Sequence, residues 1–196
     1  MKKGLSTTAI LLILAVVVIA WGVKAYNNLV SGEETVSTAW AQVENVYQRR
    51  ADLIPNLVAT VKGYAAHEQS TFEAVTQARA NATGMTVDAS NLTPEQIAEF
   101  QKAQGQLSTA LGRLIAISEN YPELKANENF KDLQAQLEGT ENRISTERMK
   151  FNEAAKKFNV SVRRFPANII AGIFGFQTKG YFEAAEGAST APKVEF

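Results

Sequence analysis

The chain has 196 residues, with 20 Lys or Arg balanced by 20 Asp or Glu, so its formal charge is zero and no polybasic tract offers nucleic acid a footprint. It has no cysteine, which excludes disulfides, thiolate metal sites, thiol redox chemistry and thiol-linked lipid within this sequence. About 170 residues follow the first apolar run, enough for one domain with a real core.

The first element is the uncharged run GLSTTAILLILAVVVIAWGV at 4–23, behind Lys2 and Lys3. As one helix it reaches across the roughly 30 Å hydrocarbon core of a bilayer. The basic start and Val18-Ile19-Ala20 also fit a cleavable signal peptide, although the run exceeds the usual apolar centre of one and continues through Trp21 and Val23. Read as a span, it divides the chain into a basic start at 1–3, a transmembrane helix at 4–25, a helical bundle at 26–164 and an apolar segment with a tail at 165–196. Basic residues before the span outnumber Lys24 after it, which favours the start inside. The bundle is then expected outside the cytoplasm, beyond a membrane crossed once, which in a bacterium means the periplasmic or outer side of the inner membrane.

The next element, from about Glu33 to Ala80, carries a heptad seam: Val36, Trp40, Val43, Tyr47, Arg50, Ile54, Leu57, Val61, Tyr64, Glu68, Phe72 and Val75. Pro55 lies within it, where proline kinks or ends a helix. The seam keeps phase across it, which predicts one long, kinked helix, the alternative being a corner at Pro55. NATGMTVDASNL at 81–92 reads as a loop. Thr93-Pro94-Glu95-Gln96 then spells a capping box with proline at the first helical position. That second helix carries Ile97, Phe100, Leu107, Leu111, Leu114 and Tyr121 inward and stops at Pro122; a third runs from about Asn127 to Arg164. The segment PANIIAGIFGFQTKGYF is too short for a confident second span. It reads as a short fourth helix on the bundle, or as a membrane or partner contact through Ile169, Ile170, Ile173, Phe174 and Phe176. The expected fold is all-α: a transmembrane helix continuing into an antiparallel up-and-down bundle of three long helices plus a short C-terminal segment.

Helix lengths of about 70, 40 and 55 Å do not match. If the second helix descends beside the top of the first, the base of the first is left bare. Val36, Trp40, Val43 and Tyr47 become an expected oligomer stalk. Burying them gives about 6 to 10 kcal/mol per helix, against an association cost of about 4 to 15 kcal/mol that membrane confinement lowers. A true corner at Pro55 would instead shield them within one chain.

Arg50 and Glu68 interrupt the seam and need partners if buried. Asp52, Glu141, Arg143, Glu147 and Arg148 are candidates, with His67 beside Glu68. The set reads as a register-fixing ion-pair network or as a polar recognition groove. His67-Glu68 begins a metalloprotease HExxH, but position 71 is threonine. No GxSxG, Walker or dinucleotide glycine motif is present. No catalytic residue, cofactor or metal is expected.

YNNLV at 26–30, WAQVE at 40–44, QRRADLIPNLVATVKGYAAHE at 48–68, ENYPELKAN at 119–127, TENRI at 140–144 and the GF and YFEA segments near the end together resemble the bacterial LemA family over nearly the whole chain. The resemblance implies a single-pass membrane protein with a helical bundle, usually of four helices, and no established enzymatic activity. A relative takes part in forming magnetosome membranes, and family genes often neighbour those of membrane metalloproteases. The expected function is a self-associating scaffold that shapes the membrane or an envelope assembly; the alternative is an adaptor for a membrane protein. Expected partners are the lipid bilayer, further copies of the chain and a membrane protein.

Overall fold

The computed structural model describes residues 7–89 and 91–184, so the basic start at 1–3 and the tail from 185 lie outside the described residues. Helices α1 (Thr7–Tyr64), α2 (Gln69–Gly84), α3 (Pro94–Ile117), α4 (Pro122–Ala126), α5 (Glu128–Arg163) and α6 (Ala167–Phe174) follow in order. The all-α, up-and-down expectation holds: α1 rises, α2 descends, α3 rises and α5 descends along α1.

The unbroken α1 is about 87 Å long. Its first turns, through Ile19, carry almost wholly exposed apolar side chains, and inward burial starts at Ala25 and Leu29. Among the described residues it is the one helix long and apolar enough to cross a membrane.

Pro55 neither ends α1 nor marks a corner. Proline has no N–H, so the carbonyl of Ala51 four residues earlier loses its helical donor. Arg79 on α2 supplies the substitute, its Nε donating to that carbonyl at 2.8 Å. The expectation of one helix to Ala80 therefore fails at a different place. The chain reverses at Ala65–Glu68, where the Ala65 N–H still bonds Val61 O and the Glu68 N–H bonds Ala65 O. Reversal lets Phe72, Val75, Ala78 and Ala82 of α2 pack into the same core as Ile54, Leu57 and Val61. Helix α2 runs on to Gly84, which shortens the expected loop, and α3 starts on the expected capping box, with the Gln96 N–H donating to Thr93 Oγ1 at 3.2 Å.

Two apolar clusters stack along the bundle. The distal one joins α1 from Ile54 upward with α2, the end of α3, Leu124 and the start of α5. The proximal one joins Leu29, Val36, Trp40, Val43 and Tyr47 with Ile97 and Phe100 of α3, with Ile144, Phe151, Ala155 and Phe158 of α5, and with Phe182. The bare stalk is thus corrected: Val36, Trp40 and Val43 are fully buried within one chain. Splitting the expected first helix removes the length mismatch on which the stalk rested, because α5, at about 54 Å, covers α1 down to its base.

Candidate functional site: the base of the bundle

Below the proximal cluster, α5 ends at Arg163 and the chain turns through Phe165-Pro166 into α6. Helix α6 packs at the level where α1 changes from exposed to buried. Ile170 Cδ1 would lie 3.8 Å from a Cβ on Gly22, and the rings of Phe174 and Phe176 sit 4.7 and 5.8 Å from that of Tyr26. Ala171 is buried, while Ile170 and Phe176 pack against the proximal cluster. Ile169, Ile173 and Phe174 remain 51, 69 and 59% exposed, and Phe165 is 76% exposed. The five-residue contact surface expected here therefore divides: Ile169, Ile173 and Phe174 are available, whereas Ile170 and Phe176 hold the helix to the bundle.

Gly175 closes α6 in the left-handed region, at φ 77°, where a side chain would be strained. The chain then climbs back along α5 as an extended strap over 176–184. Three amide side chains grip its backbone, each both donating and accepting. Asn159 bonds the N–H and carbonyl of Lys179, at 2.8 Å each. Asn152 does the same at Phe182, at 2.9 Å each, and Gln101 at Glu183. Gly180 lies so close to α3 that a Cβ there would stand 2.7 Å from Pro94 Cα. Lys179 is buried, bonded to Glu33 at 2.7 Å. Phe182 stacks on Trp40 with ring centroids 5.9 Å apart. The sequence reading missed Gln101, Asn152 and Asn159; the available signal was amide residues on helix faces that otherwise point inward.

Arg50 forms a separate polar layer between the two clusters. It is buried, donating through Nη1 to Glu141 and Ser108 at 2.8 Å each, and through Nη2 to the side-chain and backbone oxygens of Gln104. Gln104 in turn donates to Ala82 O at 3.3 Å, so one guanidinium ties α1, α3 and α5 and, through Gln104, α2. Burial raises the Tyr47 phenol above its ordinary 10.0, against the lowering influence of Arg148 and Arg50.

Of the other expected members, Arg148 adjoins this layer through Tyr47, and the rest lie elsewhere. Glu68 is half-buried at the α1–α2 turn, 3.5 Å from Tyr121 Oη, and His67 is exposed. Asp52 and Arg143 are exposed. Glu147 pairs with Lys150 at 2.8 Å. Arg148 donates to Glu183 O at 2.8 Å and lies 4.7 Å from the Phe182 ring centroid. Arg50 and Glu141 are brought together; the Arg50-to-Glu68 recognition surface is not. Among the described residues no three His, Asp or Glu side chains converge to hold a metal.

The geometry defines a class: a helical bundle built on the continuation of a candidate membrane-spanning helix and closed at its base by a short apolar helix and an extended strap. The sequence model of the LemA family matches residues 39–196, and the chain belongs to that family. The magnetosome protein MamQ 2 of Paramagnetospirillum magneticum is 28% identical over 184 residues, covering 84% of this chain and 67% of the relative. MamQ of Magnetospirillum gryphiswaldense is 29% identical over 186 residues, with the same two coverages. Protein LemA of Metamycoplasma hominis is 22% identical over 160 residues, covering 82% of this chain and 69% of that protein.

Proposed function

We propose that the chain is a non-enzymatic, membrane-anchored structural protein that scaffolds or shapes a bacterial inner membrane, or an assembly on it, from the periplasmic or outer side. The observation that carries this reading is the junction of span and bundle. Helix α1 passes between them without a break, and α6 and the strap pack around its residues 22 to 33. Such a junction couples the tilt of the bundle to the tilt of the span, which a flexible linker would not do. The similarity to proteins named for the magnetosome supports a structural task at a membrane.

Self-association belongs to the same proposal, but through outward faces of the bundle, since Val36, Trp40, Val43 and Tyr47 are filled from within. The test reconstitutes the full chain into nanodiscs for a lipid-corrected mass and into vesicles for imaging at rising protein density. A defined oligomer and altered vesicle curvature are expected. Monomers on unchanged vesicles would overturn the scaffold.

The second reading is an adaptor for a membrane protein such as a metalloprotease. It is favoured by the distal groove between α1 and α2, lined by Val58, Lys62, Phe72, Glu73, Thr76 and Gln77. Charge reversal at Lys62 and Glu73 should then abolish partner capture without changing the mass of the chain in nanodiscs.

A further inference from the structure

We propose that Phe165 and α6 form a foot embedded in the interfacial layer of the bilayer, on the side where the bundle emerges, so that lipid covers their outward apolar face. This rests on the reading of α1 as a membrane span.

Height is the first argument. If residues 4–23 cross the hydrocarbon core, Gly22 and Tyr26 lie within about 5 Å of its boundary. Helix α6 touches α1 at those two residues. Its outward residues Ile169, Ile173 and Phe174 therefore share the depth of an established apolar surface and continue it sideways.

Chemistry is the second. From Phe165 to Thr178 the chain carries no charge, while Arg163 and Arg164 precede this stretch as exposed side chains and Lys24 stands exposed on α1. Long basic side chains at an apolar edge reach the headgroups with their stems in the acyl region. Trp21 and Tyr26, both partly exposed, are the aromatic types that settle at that boundary.

Constraint is the third. Val162 before the turn and Lys179 and Phe182 after it are buried, and Ile170 and Ala171 pin α6 from its inner side. The foot therefore has no freedom to fold its outward face onto the bundle. Four large apolar side chains held open at the mouth of a span need an external apolar phase, and the bilayer is the one already in place.

The absence of native cysteine permits single labels on the full chain. Nitroxides are placed at Ile173→Cys and Ile169→Cys on the foot, at Leu14→Cys in the span and at Asp132→Cys on distal α5, in chains reconstituted into phosphatidylcholine–phosphatidylglycerol vesicles. Collision rates are read with oxygen, which concentrates in lipid, and with a water-soluble nickel chelate. The oxygen-to-nickel ratio at 173 and 169 is expected to exceed that at 132 several-fold and to fall below that at 14. Ratios at 173 and 169 equal to that at 132, with 14 in lipid, would overturn the foot and leave the span standing. Protection of 173 and 169 from both reagents would mean protein covers the face, which also overturns the proposal. A nickel-accessible label at 14 would remove the span itself, and the foot with it.

Discussion

If Arg79 compensates for Pro55, its value must depend on the proline. The Ala51 carbonyl is buried with its residue and lacks the N–H that position 55 would otherwise give it. Arg79 Nε reaches it at 2.8 Å from a half-exposed side chain. A hydrogen bond from a charged donor contributes about 1.5 to 3 kcal/mol, and the exposure of Arg79 argues for the lower end. Arg79→Met keeps the stem and removes the donor, so it should cost about 2 kcal/mol in the parent chain. In a Pro55→Ala background, the restored amide takes the Ala51 carbonyl into an ordinary helical bond, and Arg79→Met should cost under about 0.5 kcal/mol. The resulting coupling, about 1.5 kcal/mol, is well above the scatter of independent sites. Urea unfolding of the full chain in nanodiscs, followed through the emission of buried Trp40, measures all four corners of the cycle. Equal costs of Arg79→Met with and without Pro55 would refute the compensation and leave Arg79 as an ordinary packing residue.

Four further outcomes follow from the base and the polar layer. Because burial raises the Tyr47 phenol, the folded chain keeps that proton longer than the unfolded chain. Its contribution is complete below pH about 10 and is lost as pH rises through the higher folded value. Thermal melts from pH 9 to 11 should show a decline that Tyr47→Phe reduces. Gly180→Ala places a methyl 2.7 Å from Pro94 Cα, backbone that cannot swing away, and should cost about 1 to 3 kcal/mol, seen as earlier protease cutting in the strap. Glu141→Gln should cost under about 1 kcal/mol, since Glu141 is 43% exposed and its pairing is screened. Arg50→Ala, which empties a buried layer and strands Gln104, should cost about 3 kcal/mol or more in the same urea assay.

Helix identity was legible wherever short-range chemistry decides it. The capping box at Thr93–Gln96 and the cap at Asn127 start helices where their side chains require. The seam from Val36 to Val61 is buried as its spacing demands. The reversal at 65–68 was not legible, because no proline or turn cluster marks it and Glu68 caps α2 with no side-chain bond. What decides it is tertiary: Phe72 and Val75 bury better against Leu57 and α3 than in a continued helix. Pro55 was legible as interior to one helix, because the seam keeps phase across it, but its remedy, 24 residues away at Arg79, was not. The strap shows the limit most clearly. An extended segment held by Asn159, Asn152 and Gln101 has neither helical period nor strand alternation, and only the partners' positions reveal it.

The burial of Trp40 changes how self-association has to be tested. A charge at Trp40 would dissociate an oligomer only if the indole faced another copy. Here the indole lies among Phe100, Phe151 and Phe182, with centroids 5.1, 5.5 and 5.9 Å away. Removing so large a buried side chain costs about 3 to 5 kcal/mol, and an unpaired carboxylate in its place adds a desolvation penalty of several kcal/mol. That total rivals the whole stability of a domain, which is about 5 to 15 kcal/mol. Trp40→Glu should therefore unfold the proximal half, giving rapid proteolysis along α5 and the strap. Trp40→Phe should remain folded: the indole N–H has no hydrogen-bond partner among the described residues, so only volume is lost. If Trp40→Glu instead stayed protease-resistant while a parent oligomer fell to monomers, Trp40 would have to face a second copy and the packing of the proximal cluster would be wrong. Loss of the fold and of the oligomer together is what packing of Trp40 within one chain requires, and the interface then has to be mapped with substitutions on outward faces that leave the fold intact.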